Sequence, residues 1–110
     1  MKESIVTNVP AMGKRFSVME DEVEAARAYL YILKNDLHVE PFGLLEDVFV
    51  DDNMRGQGIG TDLIKKVIKA AEEAGCYKLI ATSRKERSKV HELYERLGFV
   101  EHGKEFRINF

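Results

Sequence analysis

The chain has 110 residues, of which 45% are hydrophobic and 33% charged, and its formal net charge is −2. This length predicts a single domain over residues 1–110 with a buried core, and the small net charge gives no reason to expect nucleic acid or a membrane as partner. One cysteine excludes an internal disulfide framework, and without a signal peptide or a bilayer-spanning apolar run the sequence indicates a cytoplasmic soluble protein.

The first half of the chain is patterned as strands. Residues 1–13 are weakly patterned and predict a short N-terminal arm, and residues 14–21 predict a strand. Residues 23–34 are apolar at nearly every position and rich in aromatic and β-branched side chains, which is typical of a central strand. After a loop over 35–43 that contains Pro and Gly, "LLEDVFV" predicts a third strand over 44–50.

From Ile59 the period of the apolar residues becomes helical. They recur at intervals of three and four residues as far as Gly75, which supplies a C-terminal stop, so the segment predicts an amphipathic helix. The next segment, 77–83, is short and mostly apolar, which predicts an interior strand.

A second helix is predicted near the end of the chain. Ser83 and Glu86 have the spacing of a capping box, so this helix is expected to start at about Arg84 and to end at Gly98. Residues 99–110 look like two strands joined at "HG". The predicted order is therefore β-β-β-α-β-α-β-β, an α/β domain with a mixed sheet.

Between the third strand and the first helix, "MRGQGIG" places three glycines and an arginine directly before the helix. The spacing matches neither the GxGxxG of a dinucleotide fold nor the GK[ST] ending of a Walker loop. Unpartnered amides at a helix N-terminus bind anions when side chains do not block the approach, and Arg55 adds a cation suited to phosphate oxygens. A tight turn alone would need one glycine, so the stretch predicts an anion-binding site.

The chain from the third strand through the first helix, LEDVFVDDNMRGQGIGTDLIKKVIKAAEEAG, resembles the acetyl-coenzyme A-binding core of the GNAT family of N-acetyltransferases. The family's loop pattern, [Q/R]-x-x-G-x-[G/A], is matched by Arg55, Gly58 and Gly60, and "LYERLGF" (93–99) resembles a later helix-to-strand motif. The resemblance covers roughly residues 15–110 and implies a mixed, splayed β-sheet with flanking helices.

The resemblance implies which groups would bind acetyl-coenzyme A. Amides of the glycine loop would hold the pyrophosphate beside Arg55, and unpaired backbone groups of the splayed third strand would bond to the pantetheine arm. The cofactor-binding residues implied in this way are Val48, Phe49, Val50, Arg55, Gly56, Gln57, Gly58, Ile59 and Gly60. The basic run at 84–89 is a weaker candidate for contact with the 3′-phosphate.

The resemblance also implies direct acetyl transfer to a primary amine, which a base must deprotonate because an alkylamine is mostly protonated at neutral pH. Glu46 and Asp47 are the candidate bases, and since adjacent strand residues face opposite sides, at most one is expected to point into the site. Family members with a similar "LED" stretch favour Glu46. Tyr94, the tyrosine of "LYERLGF", is the implied general acid for the departing thiolate, although its own pattern is that of a core residue.

The identity of the acceptor stays open at this point. The family domain begins with a strand and two helices, but too few residues precede the first predicted strand to form them. We therefore expect an acceptor side that is open, or that is closed by the loop 35–43 or by a second subunit in a homodimer. The acceptor would be a small-molecule amine or a protein N-terminus or lysine.

Two other functions compete with acetyl transfer. One is a catalytically degenerate domain that binds coenzyme A as a sensor or scaffold, and the other is a different phosphate-binding module such as a nucleotide binder. Cys76 is expected to be an inert buried thiol, and the spacing of the histidines predicts no metal site.

Overall fold

The computed structural model describes residues 2–110, which form a mixed α/β fold in the order β-β-β-α-β-α. The chain packs as two compact units, one ending at Ile80 and the other starting at Ala81. The elements are β1 (Met12–Glu20), β2 (Val23–Leu33), β3 (Phe42–Val50), a 3₁₀ turn (Asp52–Met54), α1 (Ile59–Glu73), β4 (Leu79–Ala81) and α2 (Ser88–Arg96).

The four strands form one open sheet in the order β1-β2-β3-β4. β2 pairs antiparallel with both β1 and β3, so the prediction that it is a central strand is confirmed. Hydrogen bonds of 2.9 Å from the Tyr77 amide to the Pro41 carbonyl and from the Gly43 amide to the Lys78 carbonyl join the start of β3 to the chain entering β4, in parallel. β4 is shorter than predicted and lies at the end of this strand order rather than in the interior.

Helix α1 packs on one face of this sheet. A Cβ added to Gly43 would lie 3.7 Å from the Cβ of Ala71, an ordinary contact distance that places the start of β3 beneath the helix. The buried side chains of this core are Ala26, Ala28, Leu30 and Leu45 on the strands and Leu63, Ile64, Val67 and Ala71 on the helix.

Two β-bulges interrupt the pairing of β2 with its neighbours. Val18 pairs with Ala26 but Met19 pairs with Glu24, so Ala25 is an extra residue on β2. A second shift between Arg27 and Tyr29 leaves an extra residue on β3, where Asp47 has a positive φ of 52°. Because a bulge shifts the alternation of side chains between the two faces, both affect which side chains share the face opposite α1.

The second helix begins at Ser88, later than the predicted start at about Arg84. The capping box does not form, because the Ser83 hydroxyl donates to the carbonyl of Arg84 (3.4 Å). The residues before the helix form a turn instead, closed by a 3.1 Å hydrogen bond from the Arg87 amide to the Arg84 carbonyl.

The two strands predicted over 99–110 are not formed, although the structure describes this whole segment. Its sequence alternates correctly for a strand, since Phe106, Ile108 and Phe110 recur at every second position, but all three side chains are exposed. A strand is stable only when its backbone groups are hydrogen-bonded and its apolar face is covered. No other part of the described chain pairs with this segment in a strand ladder.

Replacing Leu30 by Ala tests the core beneath α1. Leu30 is fully buried, so we expect Leu30→Ala to lower the free energy of unfolding by about 2–5 kcal/mol, because a cavity replaces its side chain. Urea unfolding followed by circular dichroism measures the change.

The exposed Leu37 provides the matched control. Leu37→Ala removes the same atoms from the surface and should change the free energy of unfolding by less than about 0.5 kcal/mol. Equal effects of the two substitutions would contradict the packing described for this face.

Candidate active site

The loop before α1 contains three glycines, and each has a structural reason. Gly56 and Gly58 have positive φ angles of 82° and 79°, and Gly58 is the N-cap of the helix. A Cβ on Gly60 would lie 3.0 Å from Cγ2 of Val50, so its absence lets the helix start close to the end of β3. The expectation that the turn needs only one glycine is therefore wrong, and glycine content by itself is not evidence of an anion site.

The start of α1 nevertheless offers open hydrogen-bond donors. Helix geometry gives the amides of Ile59, Gly60 and Thr61 no intrahelical acceptor, and none of the backbone carbonyls described between residues 2 and 110 accepts from them. A Cβ on Gly56 or Gly58 would meet no atom within 4 Å, so the approach to these amides is open. Together with the partial positive charge of the helix start, this arrangement fits a phosphate group.

Arg55 links the loop to the end of β3. Its Nε lies 3.5 Å from the carbonyl oxygen of Val50, and its Nη2 lies 3.2 Å from Oδ1 of Asp52. The guanidinium group is exposed. The structure therefore brings together the two groups of residues predicted to bind the cofactor, 48–50 on the strand and 55–60 in the loop.

The bulge in β3 places both candidate bases on one face of the sheet. Glu46 is paired with Tyr29 across the strands, so it lies on the face of Tyr29. Arg27, two residues from Tyr29 and paired with Phe49, lies on the same face. Oδ2 of Asp47 is 3.4 Å from Nε of Arg27, so its carboxylate reaches this face as well. The expectation that at most one of the two acids faces the site is therefore wrong, because the extra residue shifts the alternation.

The two carboxylates differ in their partners. Asp47 is bound to Arg27, and its side chain is 58% exposed. Glu46 is half-buried, and its carboxylate makes no hydrogen bond or ion pair within the described part of the chain. Of the two acids, Glu46 is thus the one left available for another group.

An ion-pair network that sequence reasoning missed covers the rest of this face. Nη2 of Arg15 lies 2.6 Å from Oε2 of Glu24, and Nη1 of Arg27 lies 3.3 Å from Oε1 of the same carboxylate. Nε of Arg15 also donates to the hydroxyl of Tyr29 at 3.0 Å. The bulge at Ala25 carries Glu24 to this face, so no regular alternation in the sequence marks it. We call Arg15, Glu24, Arg27 and Asp47 the ion-pair network.

Aromatic rings lie beside the ion-pair network. The guanidinium carbon of Arg27 is 4.6 Å from the ring centroid of Phe49. The rings of Tyr29 and Tyr31 are stacked, with centroids 6.1 Å apart and planes 7° from parallel. A Cβ on Gly13 would lie 3.1 Å from the Tyr31 ring, so that glycine lets the ring lie flat over β1.

Tyr94 lies on α2, in the unit that starts at Ala81. Its side chain is buried, and its ring centroid is 5.2 Å from that of Phe99. Its carbonyl accepts a 3.0 Å hydrogen bond from the Phe99 amide, which closes the end of the "LYERLGF" motif. This packing is that of a core residue of its unit, and the role of general acid stays a prediction.

Three other features bear on function: the Cys76 thiol, possible metal ligands and possible membrane-spanning helices. Burial raises the pKa of the Cys76 thiol, which disfavours the reactive thiolate, as expected for an inert cysteine. Between residues 2 and 110, no three His, Cys, Asp or Glu side chains come together in a way that could hold a metal ion. In the same residues no helix has both the length and the apolar character needed to span a bilayer.

The comparison with known families decides the identity of the fold. Residues 10–99, which include every strand and both helices, match the Acetyltransferase (GNAT) family. The chain belongs to the GNAT family. The resemblance seen in the loop and in "LYERLGF" is thereby confirmed.

Individual GNAT relatives act on different acceptors. The chain is 39% identical over 67 residues to glucosamine 6-phosphate N-acetyltransferase of Trypanosoma brucei brucei, covering 61% of this chain and 44% of that protein. It is 36% identical over 78 residues to human N-alpha-acetyltransferase 30, covering 69% of this chain and 22% of that protein. A crystal structure of a Trypanosoma brucei acetyltransferase superposes with a TM-score of 0.77 at 30% identity, over 91% of this chain and 69% of that one. The chain thus spans less than half the length of these two curated relatives.

The pKa of Glu24 reports on the ion-pair network. Loss of water around its carboxylate raises the pKa, but hydrogen bonds from Arg15 and Arg27 outweigh this and hold the pKa below its ordinary value of 4.5. Because the pKa is lower in the folded protein than in the unfolded chain, the network stabilises the fold above about pH 4.5, and this contribution is lost as the pH falls through the folded pKa. Carbon-13 NMR titration measures this pKa directly.

We expect Arg15→Gln to raise the pKa of Glu24 towards its ordinary value, because it removes a hydrogen bond to the carboxylate. The control is Lys14→Gln, which removes the positive charge of the preceding residue. Lys14 is paired with Leu30 and so lies on the opposite face of the sheet, towards α1. Lys14→Gln should leave the pKa of Glu24 in place. An equal shift in both variants would mean that general charge, rather than the ion pair, sets this pKa.

Proposed function

We propose that the chain binds acetyl-coenzyme A and transfers the acetyl group to a primary amine. The observation that carries this proposal is the open row of amides at the start of α1, in a chain that belongs to the GNAT family. Acetyl-coenzyme A supplies the acetyl group as a reactive thioester.

The cofactor-binding residues hold the donor in two ways. The amides of residues 57–60 donate to the pyrophosphate, and Arg55 offers a planar guanidinium group to the same oxygens. Backbone groups of Val48, Phe49 and Val50 bond to the pantetheine arm, which orients the thioester along β3. The close approach of Gly60 to Val50 supports this arrangement, because it keeps the loop and the strand together.

Glu46 is the proposed general base. It takes a proton from the ammonium group of the acceptor, directly or through water, and so frees the nitrogen lone pair to attack the carbonyl carbon. The lack of an ion-pair partner for Glu46 among residues 2–110 supports this choice over Asp47, which Arg27 already holds. The new C–N bond forms as the C–S bond breaks, and the nitrogen gives its second proton to water as it becomes an amide nitrogen.

Tyr94 is the proposed general acid. Its phenol gives a proton to the departing sulfur, so that coenzyme A leaves as a thiol, and the tyrosine recovers a proton from water. This role is carried over from the family motif "LYERLGF", in which Tyr94 is the tyrosine.

A second candidate function is coenzyme A binding without catalysis. The observation that favours it is the burial of Tyr94 and its packing against Phe99, which is also how a purely structural tyrosine would lie. The two functions share the cofactor site and differ in whether coenzyme A is released as a thiol.

Cofactor binding is tested by isothermal titration calorimetry with acetyl-coenzyme A. We expect the unaltered chain to bind it and Arg55→Gln to weaken binding about tenfold, the effect of roughly 1.4 kcal/mol, because a cation next to the pyrophosphate is lost. The weakening should shrink at high salt.

The matched control is Arg107→Gln. Arg107 is likewise exposed and ion-paired with a carboxylate two positions away, Glu105. This variant should bind acetyl-coenzyme A as the unaltered chain does. Binding of ATP but not of acetyl-coenzyme A would overturn the proposal and favour a nucleotide-binding module.

The catalytic roles are tested by release of free thiol in the presence of amine acceptors. We expect Glu46→Gln to lower kcat about 100-fold or more with little change in the affinity for acetyl-coenzyme A, because only the proton acceptor is removed. Tyr94→Phe should lower kcat while the protein remains folded.

Asp47→Asn is the control for the base, since it removes the neighbouring carboxylate on the same face. It should retain most of the activity. If Asp47→Asn is inactive and Glu46→Gln is active, the two carboxylates have the opposite roles. If acetyl-coenzyme A binds and no acceptor releases thiol, the non-catalytic function is favoured.

A further inference from the structure

The charges beside Glu46 are already balanced within the protein. Both guanidinium groups on this face, Arg15 and Arg27, are held by the carboxylates of Glu24 and Asp47. Glu46 adds a third carboxylate, which has no partner in the described residues. These five side chains therefore carry one negative charge in excess.

Two lysines of the unit that ends at Ile80 lie away from Glu46. Lys14 is paired with Leu30 and so lies on the face towards α1. The ammonium group of Lys78 lies over the ring of Phe42, 5.3 Å from its centroid, at the far end of β3. Phe42 precedes Glu46 by four residues, which is about 13 Å along a strand.

The aromatic side chains on this face are suited to positive rather than negative groups. Arg27 lies over Phe49 and Arg15 lies over Tyr29, so two rings already bind cations. The ring of Tyr31 continues the stack and is 38% exposed. The negative potential of an aromatic face attracts a cation and repels an anion.

We infer that this face selects an amine acceptor whose other groups are neutral or positively charged, and that it discriminates against amines carrying a phosphate or a carboxylate. The inference rests on the proposed function, because it concerns the acceptor side of the same site. An anionic group beside Glu46 would meet carboxylates and ring faces, and the charges of the two guanidinium groups on this face are already offset by Glu24 and Asp47. A sugar phosphate, the kind of acceptor in the name of the trypanosomal relative, is thus disfavoured here.

Two matched pairs of acceptors test this inference by thiol release. 1,4-Diaminobutane and 4-aminobutanoate have the same chain length but opposite charges at the far end, and glucosamine and glucosamine 6-phosphate differ only in the phosphate. We expect kcat/KM to be at least about tenfold higher for 1,4-diaminobutane than for 4-aminobutanoate, and higher for glucosamine than for its phosphate. Equal values, or a preference for the anionic member of either pair, would overturn the inference.

Glu24→Gln tests whether the paired arginines cause the discrimination. This substitution releases Arg15 and one contact of Arg27, so KM for glucosamine 6-phosphate should fall several-fold relative to KM for glucosamine. Glu20→Gln is the matched control, because it removes the same charge from the end of β1 without releasing an arginine. If both variants change the ratio equally, the network is not the cause and the inference fails on this point.

The inference and the proposed function can fail separately. If the chain binds acetyl-coenzyme A but releases thiol with no acceptor, the proposed function fails. Calorimetry of the coenzyme A-loaded protein with the same four amines then tests the inference alone. Tighter binding of 1,4-diaminobutane than of 4-aminobutanoate supports it, and tighter binding of glucosamine 6-phosphate than of glucosamine overturns it.

Discussion

Helix α1 lies close to β2 and β3 because the residues between them are small. Ala26 and Ala28 are buried under the helix, and a Cβ on Gly60 of the helix would lie 3.0 Å from Cγ2 of Val50 on β3. This close packing holds the start of α1 against the end of β3 at Val50. Because of this contact, the amides of the helix start lie next to the last backbone groups of the strand.

The parts of the fold that burial determines were predictable from sequence. The apolar patterns placed the first three strands and α1 within about two residues of their ends, with α1 starting at Ile59 as expected. The errors lie where a local signal lacked tertiary support. Ser83 has capping-box spacing but hydrogen-bonds to Arg84 instead, and 99–110 alternates like a strand but has no pairing partner in the described chain.

The glycine loop and the face that carries the ion-pair network differ in how much the sequence reveals. The loop is a contiguous motif, and its open amides depend on residues that are adjacent in the sequence. It could therefore be predicted from the sequence. The face that carries the ion-pair network depends on two bulges, at Ala25 and Asp47, and neither bulge is marked by a characteristic residue type. Each bulge brings one acidic residue, Glu24 or Asp47, to this face, although strict alternation would place it on the other face. Arg15 and Glu24 are nine residues apart in the sequence and come together only because β1 pairs with β2.

The main effect of the ion-pair network is on the distribution of charge on this face rather than on the stability of the fold. Its side chains are partly exposed, and ion pairs between exposed groups contribute little to folding. The network does fix where positive charge is available. Arg27 contacts Glu24 and Asp47 and lies over Phe49, so reorienting it towards an incoming anion would break two ion pairs and a cation–π contact. If this face receives the acceptor, an anionic group would be accommodated only at the expense of contacts that are already made.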